Sequence, residues 1–524
     1  MAYQIAKHEA QSVVDMSNNT GGINLAMRPD ALEANQCADA VNFEISFYGS
    51  KFKTRPAISA SLHNTDFPIT SFWWDEITKS LYFFVGEHNK PKKMYYFDTK
   101  NNHVNFVGDL TGRADRPSCV YFHGNLFVAS GDKLQVLLLY EPEWLKPQHL
   151  KLLTLDGKYT NAGKTSLNSP LVTTLAVKDS RLIATAARTD TIYFSSINDC
   201  LSAKTLGLVD DSDDRSAAKY IEGIGESDKS AIIGMMVNVS DIIVFKYSGS
   251  CYAISGNAPD WYVTKVADNS DAIKQSAIVS HANTLIFMST SGFKELKTKA
   301  SHGNYSLEEF GMQVNPAIAE HHSDPWGRML DDRHQLIFSS DRDNMLWVHS
   351  TSTGGFTKWM VPDGFVVNDM IETPDGVYIA LETVKNKYGQ LCKLDDTKFL
   401  DFGTTPIHQL YKSKQLSYYD LLTSHIQNIR VKPLDEETGT IDVYVKTGTQ
   451  IALGGKPYHL IRWKYSYKNP VKHVRSQIRD ESLQYIIETD SPFILEHFSE
   501  SVIQNANGKG NPSGGQWSDI ANSI

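Results

Sequence analysis

Ile232-Ile233-Gly234-Met235-Met236 is followed by Ile242-Ile243-Val244-Phe245-Lys246, and the same arrangement returns about 40 residues later in Ser276-Ala277-Ile278-Val279 and Thr284-Leu285-Ile286-Phe287-Met288. In both places a tight polar turn separates two short apolar runs, and the second run leads into a hairpin marked by glycine. A unit of short strands with this period is typical of repeat proteins built from four-stranded β-sheets.

The same unit extends over most of the chain. Apolar strands alternate with polar turns from Ile69 to Leu394, without helical periodicity, and the unit recurs about six times. The chain of 524 residues is too long for one ordinary core, and its aromatic content of 11% favours β-structure. Because radial repetition leaves only short edge strands exposed, the pattern predicts an all-β fold with an irregular β-propeller of about six blades.

Changes in the pattern divide the chain into five segments. After Asp401 the repeat stops, and alternating strands over the next hundred residues or so are enough for a smaller β-sandwich-like domain. A hairpin between Val41 and Arg55 precedes the first blade, and we expect it to complete the last blade and close the ring. The segments are a polar N-terminal arm (1–20), a turn and β-hairpin segment (21–67), the propeller (68–400), the β-sandwich-like domain (401–503) and a flexible, glycine-containing tail (504–524).

Bulk properties limit the class of protein. The formal net charge of −9 gives no support to nucleic-acid binding. The N-terminus lacks the apolar core of a signal peptide, and no apolar run is long enough to span a bilayer. We therefore expect a protein made in a cytosol. Scattered cysteines without CxxC spacing predict free, buried thiols in a reducing compartment: Cys37, Cys119, Cys200, Cys251 and Cys392.

Three polar groups are candidates for a site, and each is explained more simply as surface structure. His321, His322 and Asp324 lie close together but lack zinc spacing and a distant partner. An acidic run lacks the glycine and the distal glutamate of a calcium loop. Three lysines predict a solvated hairpin tip. The run is Asp210, Asp211, Asp213 and Asp214, and the lysines are Lys90, Lys92 and Lys93. The sequence therefore predicts no catalytic residue, cofactor or metal.

Glycosidases are the main enzymatic alternative, because propellers also host them. The segment Ser352–Trp359 partly matches the Ser-x-Asp-x-Gly-x-Thr-Trp turn of those enzymes, but it has no aspartate. No pair of carboxylates is evident as acid and nucleophile. We expect the segment to be a hairpin, and four tryptophans to be core or blade-face aromatics rather than sugar platforms: Trp73, Trp74, Trp261 and Trp359.

The N-terminal motifs resemble those of tail nozzle proteins, also known as packaged-DNA stabilisation (tail tubular B-like) proteins, of short-tailed bacteriophages. Inside the propeller, Phe122–Ala129 and Arg181–Ala184 are similar to blades of that group. In one position Ala57 replaces the family's glycine. The motifs are Gly21-Gly22-Ile23-Asn24, Asn35-Gln36 with Asp39, Asn42-Phe43, and Lys53-Thr54-Arg55-Pro56.

The resemblance implies a structural virion protein rather than an enzyme. It implies a homo-hexameric ring in the tail, assembled in the host cytoplasm, that binds adaptor or connector proteins and tail fibres or spikes. Double-stranded DNA would pass through the lumen without sequence recognition. A net acidic chain suits this role, because each lysine or arginine contact to phosphate adds affinity that slows sliding. A sialidase-like, glycan-acting enzyme and a propeller interaction scaffold remain as alternatives.

Overall fold

A computed structural model describes residues 10–18, 20–46, 51–138, 152–154, 171–197, 219–225, 229–257, 260–298, 305–417, 423–434, 438–478, 480 and 482–504. Strands dominate it, and no helix in these ranges has the length and apolar character needed to cross a membrane. The N-terminal segment supplies eight short strands: β1 (Ala10–Asp15), β2 (Gly22–Ile23), β3 (Gln36–Cys37), β4 (Asp39–Val41), β5 (Phe43–Ile45), β6 (Phe52–Thr54), β7 (Ala57–Ile58) and β8 (His63–Thr65).

Seven antiparallel blades follow in chain order and form a β-propeller. Blades 1–3 contain β9 (Ile69–Asp75), β10 (Ser80–Val85), β11 (Lys93–Asp98) and β12 (His103–Asp109); β13 (Ser118–Phe122), β14 (Asn125–Ala129), β15 (Gln135–Leu138) and β16 (Leu152–Thr154); β17 (Val172–Lys178), β18 (Arg181–Ala186), β19 (Ile192–Phe194) and β20 (Lys219–Ile221). Blades 4 and 5 contain β21 (Ile232–Asn238), β22 (Asp241–Lys246), β23 (Cys251–Ser255) and β24 (Tyr262–Ala267); β25 (Ile278–His281), β26 (Thr284–Ser289), β27 (Gly292–Thr298) and β28 (Tyr305–Glu309). Helix α1 (Asn315–Glu320) precedes blade 6, and blades 6 and 7 contain β29 (Trp326–Leu330), β30 (Gln335–Ser339), β31 (Met345–Ser350) and β32 (Phe356–Met360); β33 (Phe365–Thr373), β34 (Gly376–Thr383) and β35 (Gly389–Asp395).

Seven hydrophobic clusters hold the ring together, one between each pair of neighbouring blades. The second strand of a blade contributes to two of them. In β22, Ile242 and Val244 face blade 3, whereas Ile243 and Phe245 face blade 5. Because successive side chains of a strand point to opposite faces, a strand buried on both faces reads as an unbroken apolar run. That is the pattern of the repeated unit in the sequence.

The ring closes between blades 7 and 1, whose innermost strands β33 and β9 are in contact. Blade 7 takes its outermost strand from the N-terminal segment: β8 pairs with residues 389–391, and β7 with residues 394–395 of β35. The prediction that segment 21–67 closes the propeller is therefore correct for its last residues. The prediction was wrong about the Val41–Arg55 hairpin, which belongs to the other domain. The ring also has seven blades rather than about six, because non-local pairing completes the last one.

The second domain is a sandwich of two sheets around one core. Segment 401–503 does not form it alone. Strands β5 and β6 extend the first sheet beside β44, β1 pairs with β44 as well, and β4 joins the second sheet through β38. The remaining elements are β36 (Leu400–Asp401), β37 (Thr405–Pro406), β38 (Gln409–Ser417), β39 (Thr423–Pro433), β40 (Thr438–Thr447), α2 (Gly448–Ala452), β41 (Tyr458–Ser466), β42 (Val471–Ile478), β43 (Ser482–Thr489) and β44 (Phe493–Gln504).

Candidate functional site

One continuous sheet joins the propeller to the sandwich. Strand β4 lies between β32 of blade 6 and β38 of the sandwich, so that Val41 pairs with Lys358 on one side and with Leu410 on the other. The blade and the sandwich sheet thereby become one sheet of 11 strands. Backbone hydrogen bonds cross the boundary between the domains, which makes the boundary a part of the fold rather than a linker.

Asn42 turns the chain sharply at this junction. Its φ of 60° lies in the left-handed region, where asparagine is tolerated better than most residues. Its side-chain oxygen accepts hydrogen bonds from the Met360 amide at 2.7 Å and from Nε of Arg55 at 2.9 Å. The side-chain nitrogen Nδ2 of Asn42 donates to the carbonyl of His408 at 2.7 Å. One side chain therefore bonds blade 6, the N-terminal hairpin and the sandwich.

Arg55 and Asp401 form a buried ion pair beside Asn42, and their side chains are 3% and 1% exposed. The guanidinium donates to both carboxylate oxygens, at 3.0 and 2.5 Å. Its other bonds go to Asn42 and to the carbonyls of Pro56 and Met360. All five donors of the arginine are thus used. Asp401 also accepts from the Ile58 amide at 2.8 Å, so the pair is bonded on every side available to it.

Further ion pairs and hydrogen bonds surround this junction. Asp39 pairs with Lys358 of blade 6 at 2.9 Å and with Lys412 of the sandwich at 3.2 Å. Glu44 pairs with Arg333 at 2.7 Å, which ties β5 to blade 6. Three residues of the motifs that resemble the tail-protein family, namely Asp39, Asn42 and Arg55, therefore take part in the connection between the two domains.

A second polar network connects the innermost strands of neighbouring blades. The Asp369 side chain on β33 is fully buried and accepts two bonds from Arg328 of blade 6, at 2.9 and 2.7 Å. It also accepts the Phe72 amide of blade 1 at 2.8 Å. Arg328 donates to the Phe72 carbonyl, and Arg116 of blade 2 lies 3.9 Å from Asp369. The nearby carboxylate keeps the pKa of Arg328 above its usual value despite burial.

The same principle recurs around the channel, because the innermost strand of each blade has one edge without a neighbouring strand. The amide of Leu175 in blade 3 donates to Ser118 of blade 2 at 3.0 Å. The amide of Met235 in blade 4 donates to Gln275 at 2.6 Å. Asn368 of blade 7 donates to the carbonyl of Ile69 at 3.0 Å. Side chains of adjacent blades thus satisfy backbone groups along the inner edges of the blades.

His321 and Asp324 of the histidine and aspartate group have different partners. His321 is exposed and lies 3.5 Å from Asp341, while Asp324 pairs with Lys274 at 2.5 Å. Burial alone would raise the pKa of Asp324, but Arg116 and Lys274 hold it below its usual value. In the described ranges, no group of three or more potential ligands is placed to hold a metal ion. The acidic run 210–214 lies outside the described residues, as does Cys200.

The lysine turn differs from its prediction. Lys90 and Lys93 are exposed, but the Lys92 side chain is completely buried. Its ammonium group donates to the carbonyls of Glu87 and Lys90 and pairs with Asp115 at 3.0 Å. Burial lowers the pKa of Lys92. This lysine therefore fixes the loop from inside, and periodicity cannot reveal it because its partners are backbone carbonyls.

The tryptophans that were considered as sugar platforms pack within the fold. Trp359 is buried, and its Nε1 donates to the Phe43 carbonyl at 3.0 Å, so the glycosidase-like segment ends in the domain junction. Trp261 stacks on Phe194 at 3.9 Å, and Trp73 packs 5.8 Å from Tyr82 on a blade face. Trp74 is half-buried, and its Nε1 donates to Glu76 at 2.8 Å. All four tryptophans therefore have packing or hydrogen-bonding partners within the fold. The four cysteines within the described ranges are free, as predicted.

A shallow groove of about 660 Å³ lies on the outer face of the sandwich sheet that contains β39, β42 and β44. We name it the basic groove and define it by Lys51, Arg430, Val471, His473, Glu496 and His497. Arg430 pairs with Glu496 at 2.8 Å. Sequence patterns do not reveal this groove, because its residues come from four separate strands and loops that only the fold brings together.

Comparisons with known proteins add a distant likeness. No family model matches the chain, and no curated protein matches it. Solved structures that are similar include the crystal structure of the Myceliophteria thermophila Cps50 (Swd1) β-propeller domain, with 10% identity and a TM-score of 0.41. That match covers 63% of this chain and 98% of the other.

Proposed function

We propose that this chain is a structural virion protein, not an enzyme, which forms the tail nozzle or the head-to-tail closure ring of a short-tailed phage. In that position it retains packaged DNA and provides the channel for its ejection. The proposal includes a homo-hexameric ring in the virion tail, with adaptor or connector proteins and tail fibres or spikes as neighbours. Assembly takes place in the host cytoplasm.

The observation that carries the proposal is the domain junction. The motif residues that resemble the phage family converge there, with Asn42 and Arg55 bonded to both domains. A sheet that runs through the boundary and a fully bonded ion pair make the two domains one mechanical unit. Rigid β-domains without a hinge suit a ring that must resist internal pressure.

The propeller network supports one detail of this role. Arg328 and Asp369 bond adjacent blades at the inner edges of the propeller, and we place the path of the DNA outside this ring. The lumen would therefore lie on the symmetry axis, between copies of the chain. A closed ring of more than two copies satisfies this requirement.

Electron microscopy of the purified full-length chain tests the proposal. We expect rings of six copies with a central opening wide enough for duplex DNA, and we expect the chain in purified virions by mass spectrometry. A chain that stays monomeric under assembly conditions and never enters virions would favour an interaction scaffold. Turnover of a polysaccharide that a single carboxylate substitution abolishes would favour a glycan-acting enzyme.

A further inference from the structure

The tripeptide Pro-Asp-Gly occurs twice in the chain, at Pro362–Gly364 just before β33 and at Pro374–Gly376 between β33 and β34. Aspartate followed by glycine is especially prone to rearrange its own backbone, because glycine puts no side chain in the way of its amide nitrogen. Asp363 and Asp375 are both exposed. A third Asp-Gly pair, Asp156–Gly157, lies outside the described residues. Local sequence and exposure therefore do not distinguish the two tripeptides, and only their hydrogen bonds do.

The peptide between Asp363 and Gly364 has no hydrogen bond to hold it. Phe365 closes a β-turn by donating its amide to the Pro362 carbonyl at 3.4 Å, and Gly364 has the positive φ, 90°, that a type II turn requires at this position. A side chain at Gly364 would meet nothing within 4 Å. Among the described residues, no group accepts from the Gly364 amide and none donates to the Asp363 carbonyl. Rotation of this peptide therefore breaks no bond within the described part of the chain.

The second Asp-Gly peptide is held by its hairpin. Thr373 and Gly376 are partners in the ladder of β33 and β34. The Thr373 hydroxyl accepts from the Asp375 amide at 3.2 Å and donates to the Gly376 carbonyl at 3.0 Å. A Cβ placed on Gly376 would lie 2.7 Å from Cε of Lys393, so the space beside this glycine is filled. Rotation of this peptide therefore disrupts the end of the hairpin.

We propose that Asp363–Gly364 is a modification site at which the folded chain converts spontaneously to isoaspartate, while Asp375–Gly376 stays largely unaltered. The Gly364 nitrogen attacks Cγ of the Asp363 carboxyl group, so that an N–Cγ bond forms and a carboxyl oxygen leaves as water with the amide proton and a second proton. Water then hydrolyses the resulting succinimide. Hydrolysis at Cγ restores aspartate, whereas hydrolysis at the main-chain carbonyl leaves the chain running through Cβ and Cγ. Since one water is lost and one regained, the conversion needs no enzyme, cofactor or oxidant.

The modification affects the connection between blades 6 and 7. Isoaspartate adds one methylene group to the main chain and places a free α-carboxylate in the turn. The Gly364 carbonyl accepts from the Val384 amide at 2.9 Å, which attaches the turn to the hairpin between β34 and β35. Asp363 accepts from Nδ2 of Asn344 at 3.4 Å, which attaches it to blade 6. Because both bonds depend on the ordinary backbone, isoaspartate loosens the attachment of this turn to both blades.

Peptide mapping of the aged full-length chain tests the site. The folded protein is incubated at pH 6 and 37 °C, and its peptides are analysed by electron-transfer mass spectrometry, whose fragments distinguish isoaspartate from aspartate. We expect about fivefold or more isoaspartate at Asp363 relative to Asp375, because one hydrogen bond that must break lowers the population of an open turn by about that factor. Equal fractions at the two positions, or no isoaspartate at Asp363, would overturn the proposal.

The unfolded chain separates the effect of the fold from that of the local sequence. In urea both tripeptides lose their turns, and the isoaspartate fractions at Asp363 and Asp375 should become nearly equal. A difference of the same size in urea would show that the following side chain, Phe365 or Val377, sets the rate, and the assignment to the fold would be wrong.

The variant Asp363→Glu is the matched control, because its longer side chain keeps the charge but cannot close a five-membered ring with the next nitrogen. Hydrogen exchange of the peptide that contains Val384 should become faster as the unaltered chain ages, and should not change as Asp363→Glu ages. Equal exchange in the two aged proteins would contradict the loosened connection. Neither measurement requires a ring, so the proposal stands or falls independently of the proposed function.

Discussion

The molecule contains two arginine–aspartate ion pairs with buried carboxylates. The two pairs differ in how far the arginine side chain is exposed to solvent. Arg55 and Asp401 at the domain junction are almost completely excluded from solvent, with every donor of the arginine bonded. Arg328 and Asp369 in the channel share the bidentate geometry, but the Arg328 side chain remains 35% exposed. The first pair joins two residues that are 346 positions apart in the sequence and lie at the boundary between the domains. The second pair bonds backbone groups at the inner edges of adjacent blades.

The difference shows how solvent access changes the value of the same chemical pair. A buried charge that loses its partner has no water to replace it, whereas a channel-lining charge can be partly solvated. The junction should therefore be much more sensitive to substitution than the channel. The following predictions test this ordering, from the largest expected effect to the smallest.

Substitution at the junction should be the most damaging. Arg55→Ala leaves the Asp401 carboxylate buried with only the Ile58 amide as a donor, and we expect a loss of about 3–5 kcal/mol in the free energy of unfolding. Urea denaturation followed by circular dichroism measures it. Arg28→Ala, which removes an exposed pair with Asp30, is the control and should change stability little. An equal effect of the two substitutions would show that the buried pair contributes no more to stability than an exposed pair.

Substitution in the channel should cost less. In Arg328→Ala the Asp369 carboxylate keeps two amide donors and the Arg116 charge nearby, so we expect a loss of about 1–3 kcal/mol. The same denaturation measurement applies. An equal loss in the free energy of unfolding for Arg328→Ala and Arg55→Ala would contradict the expected order of the two pairs.

His349 provides a third case, a buried titratable group without a counter-ion. Burial lowers its pKa to about 3, with a smaller contribution from His281, and its ring packs edge-on against Phe310 and tilted against Phe356. The unfolded chain binds a proton near pH 6.5 and the folded chain does not, so stability should fall as the pH drops from about 6.5 towards 3. The slope is about 1.4 kcal/mol per pH unit at most.

The variant His349→Phe isolates this contribution. Denaturation midpoints measured between pH 7 and pH 4 should depend less on pH in the variant than in the unaltered chain. Leu453→Gln, which changes an 81% exposed side chain that does not titrate, is the control and should leave the pH dependence unchanged. Parallel pH profiles for the unaltered chain and His349→Phe would contradict the assignment.

The smallest effect is expected for the thiols. Burial raises the pKa of Cys37, Cys119 and Cys251, and raises that of Cys392 to about 12. Since the thiolate is the reactive form, iodoacetamide at pH 8 should leave all four unmodified in a Cys200→Ser background and label them in urea. Mass spectrometry counts the adducts. Rapid labelling of the native chain would show that these sites open to solvent.

The sequence predicted those features that depend on neighbours along the chain. The apolar run Ile242–Phe245 indicated a strand buried on both faces, and the repeat of such runs indicated a propeller. What it missed depends on distant partners. Asp401 is 346 positions from Arg55, and β8 reaches blade 7 from the other end of the propeller. No local pattern encodes such pairing, which explains the miscounted blades and the misplaced hairpin.

The N-terminal segment, finally, makes completion of both domains depend on strands that are synthesised several hundred residues later. Strands β7 and β8 can pair with β35 only after β35 has been synthesised. Strands β1 and β6 can pair with β44 only after β44 has been synthesised. Contacts of such long range close late and slowly. A chain that ended before β35 would have unpaired strand edges in both domains. Chaperones bind and proteases degrade chains with such exposed edges. The pairing of β1 and β6 with β44 thus delays completion of the sandwich until β44 has been synthesised.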